Sequence, residues 1–120
     1  MYADISCKIA TPVQTPDETR ARQILRDAAS LIRTHGHTKF TQRDEKGFCV
    51  HGALFVADLG SYGHFLNAHS RAGSIAVDRL TSYLKIPPTF GGRTFAVDWN
   101  NAPERTAEEV INALEAAADA

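Results

Sequence analysis

The sequence predicts a mainly α-helical protein, a compact bundle of about four helices with one or two short β-strands or a hairpin. Three observations carry that expectation. Two stretches, Thr15-Pro16-Asp17-Glu18 and Thr106-Ala107-Glu108-Glu109, place a Thr three residues before a Glu. In that arrangement each side chain can bond the other's backbone amide, which fixes a helix start. Behind both starts, apolar residues recur at helical spacing. Alternation of the strand type is confined to a few short runs.

Residues 1–14 read as an arm or short strand ahead of a single helical domain at 15–120. Ile5, Cys7 and Ile9 alternate there with Ser6 and Lys8, and Pro12 ends the run. The first helix is expected over 16–34. Thr15 caps it, Pro16 suits the first helical position, and Ala21, Ile24, Leu25, Ala28, Leu31 and Ile32 mark one face. Gly36 is the expected stop. Residues 38–42 have strand-like character and Asp44 to Gly47 reads as a turn, so a short hairpin or an ordered loop fits.

A second helix is expected over 49–58. It is apolar around most of its circumference, so it should be the central one. Gly52 within it suggests a closely packed neighbouring backbone. A third helix is expected over 73–85, with Ala76, Val77, Leu80, Tyr83 and Leu84 as its apolar stripe and Pro87-Pro88 beyond it. Residues 94–100 read as either a strand or a helical turn. The last helix follows Thr106, and Val110, Ile111, Leu114 and Ala117 face the core.

Composition narrows the function classes. The chain has 120 residues, 43% of them hydrophobic and 22% charged, which fits one folded domain rather than a disordered tail. A formal net charge of -1 lacks the basic excess of a general nucleic-acid or membrane binder. Arg20, Arg22, Arg26 and Arg33 on the first helix, with Arg71, Arg79 and Lys85 near the third, read as solvated faces diluted by Asp17, Glu18 and Asp27. No apolar run approaches the ~20 residues of a membrane span. Two cysteines, Cys7 and Cys49, suit free thiols in a reducing cytoplasm better than a disulfide scaffold.

Two segments carry the chemistry. In Gly47-Phe48-Cys49-Val50-His51-Gly52-Ala53-Leu54 the thiol falls at a helix start, where amide groups and the helix dipole favour thiolate. A Cys49 nucleophile needs a base, and His64 and His69 are better placed than His51, which leaves Cys49 on another side of a regular helix. Asp98 and Asn100 are candidate orienting groups. The competing reading of Cys49 is a small buried core residue. His35, His37, Cys49, His51, His64 and His69 supply ligand types for a metal. None of the usual ligand spacings is present, so no metal and no cofactor are expected. Gly91-Gly92-Arg93 lacks the context of a phosphate loop.

In the second segment, Trp99-Asn100-Asn101 with Arg105 reads in two ways. Asn100, Asn101 and Arg105 can form a polar recognition surface. Alternatively, Trp99 anchors the core against the Cys49 helix while Asn100 and Asn101 satisfy turn backbone ahead of Pro103. The second reading is preferred, with Trp99 largely buried, Arg105 paired to Asp98 or a nearby carbonyl, and Gly52, Thr106 and Glu109 also structural.

These segments match the patterns G-x-C-x-x-G-A-L and W-N-D-x-P-x-R-T-x-x-E-V. Over residues 16–118 the chain resembles a family of small proteins of unknown function from actinobacteria and their phages. Asn101 stands where that family usually has Asp. The resemblance implies a compact helical domain and a phage or prophage setting, with no reaction attached. The functional expectation is a small non-enzymatic protein that acts through a protein partner, directed at a host protein if phage-encoded. The alternative is a thiol-dependent enzyme using Cys49 with a histidine base.

Overall fold

Pro16 to His35 form the longest helix, α1, because both ends are chemically defined. At the start, the Thr15 hydroxyl accepts from the Glu18 amide at 3.1 Å and the Glu18 carboxylate accepts from the Thr15 amide at 3.1 Å. At the end, Gly36 takes φ 105 and its amide donates to the Ile32 carbonyl at 2.8 Å. The computed structural model describes residues 15–41, 43–60, 69–86 and 92–120. The expected arm at 1–14 lies outside the described residues, as does His64.

After α1 the chain runs beside a small hairpin, β1 (Arg43–Asp44) paired antiparallel with β2 (Gly47–Phe48). The Thr38 amide donates to the Phe48 carbonyl at 2.9 Å and the Phe48 amide to the Gly36 carbonyl at 3.0 Å. Gly36 and Gly47 make this approach possible. A Cβ at Gly36 would lie 2.1 Å from the Lys46 carbonyl oxygen, and one at Gly47 would lie 2.1 Å from the Gly36 oxygen.

Four further helices complete the described residues: α2 (Val50–Leu59), α3 (Arg71–Tyr83), α4 (Gly92–Asn101) and α5 (Ala107–Asp119). The protein is mainly α, as its patterning predicts. The segment read as strand or helical turn is helix α4. The third helix starts two residues earlier than expected because Ser70 caps it, accepting from the Gly73 amide at 3.0 Å.

The central element is α1 rather than the Cys49 helix. It packs against α5, α3 and α2. Ala21, Ala28 and Ala29 are fully buried on it, and side chains this small let several neighbours approach one helix closely. Ile24, Leu25 and Ile32 fill the spaces between, together with Leu54 of α2, Leu80 of α3, and Val110 and Leu114 of α5. Burying each such side chain is worth roughly 1.5–3 kcal/mol. On α2 the buried positions are Val50, Gly52, Ala53, Leu54 and Phe55, all within its first six residues. No helix among the described residues is long and apolar enough to cross a membrane.

Candidate interaction site around Asn100 and Phe40

Helix α4 delivers Asn100 into the interior, and its side chain is the one fully buried amide among the described residues. Two backbone groups decide its orientation. The Val50 amide, at the start of α2, donates to Asn100 Oδ1 at 2.9 Å. The Thr38 carbonyl accepts from Asn100 Nδ2 at 3.1 Å. An amide N–H only donates and a carbonyl only accepts, so the side chain cannot be turned over. Its oxygen also faces His37 Nε2 at 2.7 Å, which places the imidazole proton on that nitrogen. Its nitrogen donates a second bond, to Asn101 Oδ1 at 3.0 Å. Asn100 thus ties α4, the start of α2 and the strand-like segment after α1 together.

Burial pushes the His37 pKa below the usual imidazole range. The Asn100 bond opposes that shift and the Lys39 charge adds to it.

Asn101 extends the clamp to the surface. Its Oδ1 accepts from the Phe40 amide at 2.8 Å. Lys39 Nζ donates to the Ala102 carbonyl at 2.7 Å and the Pro103 carbonyl at 2.9 Å. The Thr38 hydroxyl donates to the Thr41 carbonyl at 2.9 Å, closing the loop on itself. Between these anchors Phe40 sits in the left-handed region at φ 66 with 82% of its surface exposed. A bulky residue at positive φ is held against an intrinsic cost of about 1–2 kcal/mol. The bonds that flank it hold the backbone there, so the ring is presented to solvent on a fixed support.

Trp99 precedes the clamp and is partly buried, packed against the core. The Arg105 guanidinium lies 4.2 Å above its ring, and Arg105 Nε donates to the Trp99 carbonyl at 2.9 Å. The stacked cation covers surface that core side chains would otherwise fill. Arg105 therefore pairs with a carbonyl, one of the two partners expected for it.

The three residues read as a polar recognition surface fall in different places. Asn100 is enclosed with its amide fully engaged, so it positions other groups and cannot meet a partner. Asn101 and Arg105 are only partly buried.

Cys49 is the N-cap of α2. Its sulfur accepts from the Gly52 amide at 3.3 Å, and the residue is buried. Burial raises the thiol pKa, while the amides of Gly52, His51 and Cys49 pull it down. The helix start acts on the thiol in the expected direction, and desolvation outweighs it. Gly52 contributes its amide to this cap and is buried on α2.

His69 has its Nδ1 3.0 Å from Asp58 Oδ2, and its ring centroid lies 6.0 Å from that of His51. Its ring stacks flat on Phe55, with centroids 4.0 Å apart and planes 4° apart. Asp58 also accepts from the Ser70 amide at 2.9 Å and from the Ser70 hydroxyl. This ties the end of α2 to the start of α3. Gly73 makes room, since a Cβ there would meet Asp58 Oδ2 at 2.0 Å. Among the described residues no three His, Cys, Asp or Glu side chains are arranged to hold a metal ion.

The match that places the chain is one of sequence, over residues 16–120. It belongs to DUF6197, a family of unknown function. Neither the curated proteins nor the solved structures include a match to it.

Within this DUF6197 protein, sequence reasoning singled out Asn100 and Asn101 and missed the residues they hold. Phe40 carried a faint signal, a large aromatic in a stretch of Gly, His, Thr and Lys with no apolar neighbour at strand spacing. The contact from Asn100 to Val50 carried none, because 50 positions separate the partners.

Proposed function

We propose that this protein is a small non-enzymatic binding module that engages a protein partner through the face built on Phe40. The observation that carries this reading is the Phe40 ring, 82% exposed at φ 66 on a loop pinned by Asn101 and Lys39. Aromatic anchors on rigid supports suit protein interfaces, because little side-chain entropy is lost when they dock. The motif resemblance adds the setting: an actinobacterial or phage-encoded protein directed at a host protein.

The thiol-enzyme alternative draws less support. Cys49 is buried, serves as a cap, and has a raised pKa.

The test is affinity capture from an actinobacterial lysate, comparing the parent with Phe40→Ser. The expected result is a partner retained by the parent and lost by the variant at unchanged melting temperature. Equal capture by both proteins removes Phe40 from the interface. A parent that captures nothing under conditions preserving its fold counts against the reading as a whole.

A further inference from the structure

Outside the Asn100 cluster, three arginines from two helices converge on the last turn of α5. Arg22 Nη1 donates to the Ala118 carbonyl at 2.6 Å. Arg79 Nε donates to the Ala117 carbonyl at 3.2 Å, and its Nη2 donates to the Ala120 oxygen. Arg26 Nη2 meets Asp119 Oδ1 at 3.0 Å. Helix α5 has no basic residue in its own last turn, so Arg22 and Arg79 supply the donors its carbonyls lack.

That role leaves a surplus. Among the described residues Arg26 meets a carboxylate whose side chain is 73% exposed. Arg22 Nε is enclosed with no hydrogen-bond partner among the described residues. A guanidinium carries five N–H donors, and few of those on these three are engaged by the bonds above. Crowding is felt at Arg79, whose pKa is lowered by burial first and then by the Arg22 charge; the Glu18 carboxylate opposes that shift and Arg26 adds to it.

Beside this cluster a shallow hollow of about 840 Å³ opens along the first half of α1. It is lined by Pro16, Thr19, Arg20, Arg22, Gln23 and Arg26, with no carboxylate among them. Nearby Glu18 accepts from the Thr15 amide, and its charge also acts on Arg22 and Arg79.

We propose that this hollow binds a small phosphate-class oxyanion, a diphosphate bridging Arg22 and Arg26. Residues four apart on a helix are neighbours, about 5–6 Å between Cβ atoms, a span that two linked phosphates can bridge. Planar guanidinium forks match such oxygens in pairs. Asp119 is the internal competitor, since it occupies Arg26 when the site is empty.

The experiment is calorimetric titration with pyrophosphate at fixed ionic strength, using the parent, Arg26→Gln and Asp119→Asn. Melting temperatures without ligand confirm that both variants fold. Saturable binding by the parent is expected, weakened about tenfold by Arg26→Gln through loss of a charged donor. Asp119→Asn should bind more tightly. Inorganic phosphate should bind more weakly than pyrophosphate because it cannot bridge. The proposal is overturned by heats that sodium chloride reproduces at the same ionic strength, or by an Arg26→Gln variant that binds as the parent does.

Discussion

Helices α2 and α5 start in contrasting ways. At α5 the Thr106 hydroxyl accepts from the Glu109 amide at 3.1 Å, and the Glu109 carboxylate accepts from the Thr106 amide at 2.9 Å. Both partners lie within four consecutive residues. At α2 the cap is a sulfur, a weak acceptor, and the Val50 amide is completed by Asn100 from 50 residues away. The local start is solvent-exposed and modular. The assembled start is buried and couples three segments, so its failure should spread.

The sharpest way to break this comparison is to remove its node. Asn100→Ala leaves the Val50 amide, the Thr38 carbonyl and the His37 ring nitrogen without their partner in the interior. At roughly 1–3 kcal/mol for each unsatisfied group, partly relieved by relaxation, a total loss of about 3–5 kcal/mol is expected in chemical denaturation. A loss near 1 kcal/mol would show that water replaces the amide and that the node is dispensable.

Next in size is Trp99→Ala. A fully buried aromatic would cost about 3–5 kcal/mol, and a partly buried one should cost about 2. The ranking below Asn100→Ala is the informative part. If Trp99→Ala costs more, the apolar edge rather than the polar node holds α4. A parent-like stability with partner binding lost would make Trp99 a recognition residue instead.

Thr106→Ala should cost only about 1 kcal/mol, the usual value of a cap. Denaturation followed by hydrogen exchange should locate the loss in the first turn of α5. The equivalent change at the assembled start, Cys49→Ala, exchanges a weaker acceptor but also opens space in the core.

The assembled start at α2 holds two groups whose pH responses run in opposite senses. His37 has a folded pKa below its unfolded one, so the unfolded chain binds the proton more readily. Its contribution is complete above about pH 6.5 and is lost as pH falls below that value. Denaturation at pH 7.5 and pH 5.5 should show a larger drop for the parent than for His37→Gln. The Cys49 thiol has the opposite sense. Its raised pKa means stability is lost as pH rises past the unfolded value, near 8.5. Alkylation of folded protein at pH 8 should accordingly be slower than that of denatured protein. Rapid alkylation would restore the nucleophile reading.

The smallest expected effect lies at Phe40. Asn tolerates positive φ better than Phe, so Phe40→Asn should stabilise by about 0.5–1 kcal/mol, measured as a rise in melting temperature. A variant that is stabilised and has lost its partner would show strain retained for function. One that is destabilised would mean the ring packs on something in the free protein.

What the sequence by itself determined is the set of features written within a few residues. The Thr15 and Thr106 capping boxes, the Gly36 stop and the apolar stripes of α1 and α5 were legible because each depends on neighbours in the chain. The helical class followed from them. Cys49 near a helix start was legible too, but its pKa direction was not, since burial is set by elements far along the chain. The apolar circumference of α2 suggested a central helix, yet α1 holds the centre because its alanines admit several partners at once. The candidate site divides in the same way. Asn100 and Asn101 stood out as a motif, but an amide side chain can satisfy a local turn or a distant backbone equally well. Only the tertiary structure, by closing 50 residues of chain between Val50 and Asn100, decided that one of them is buried and that the other holds Phe40 in the open.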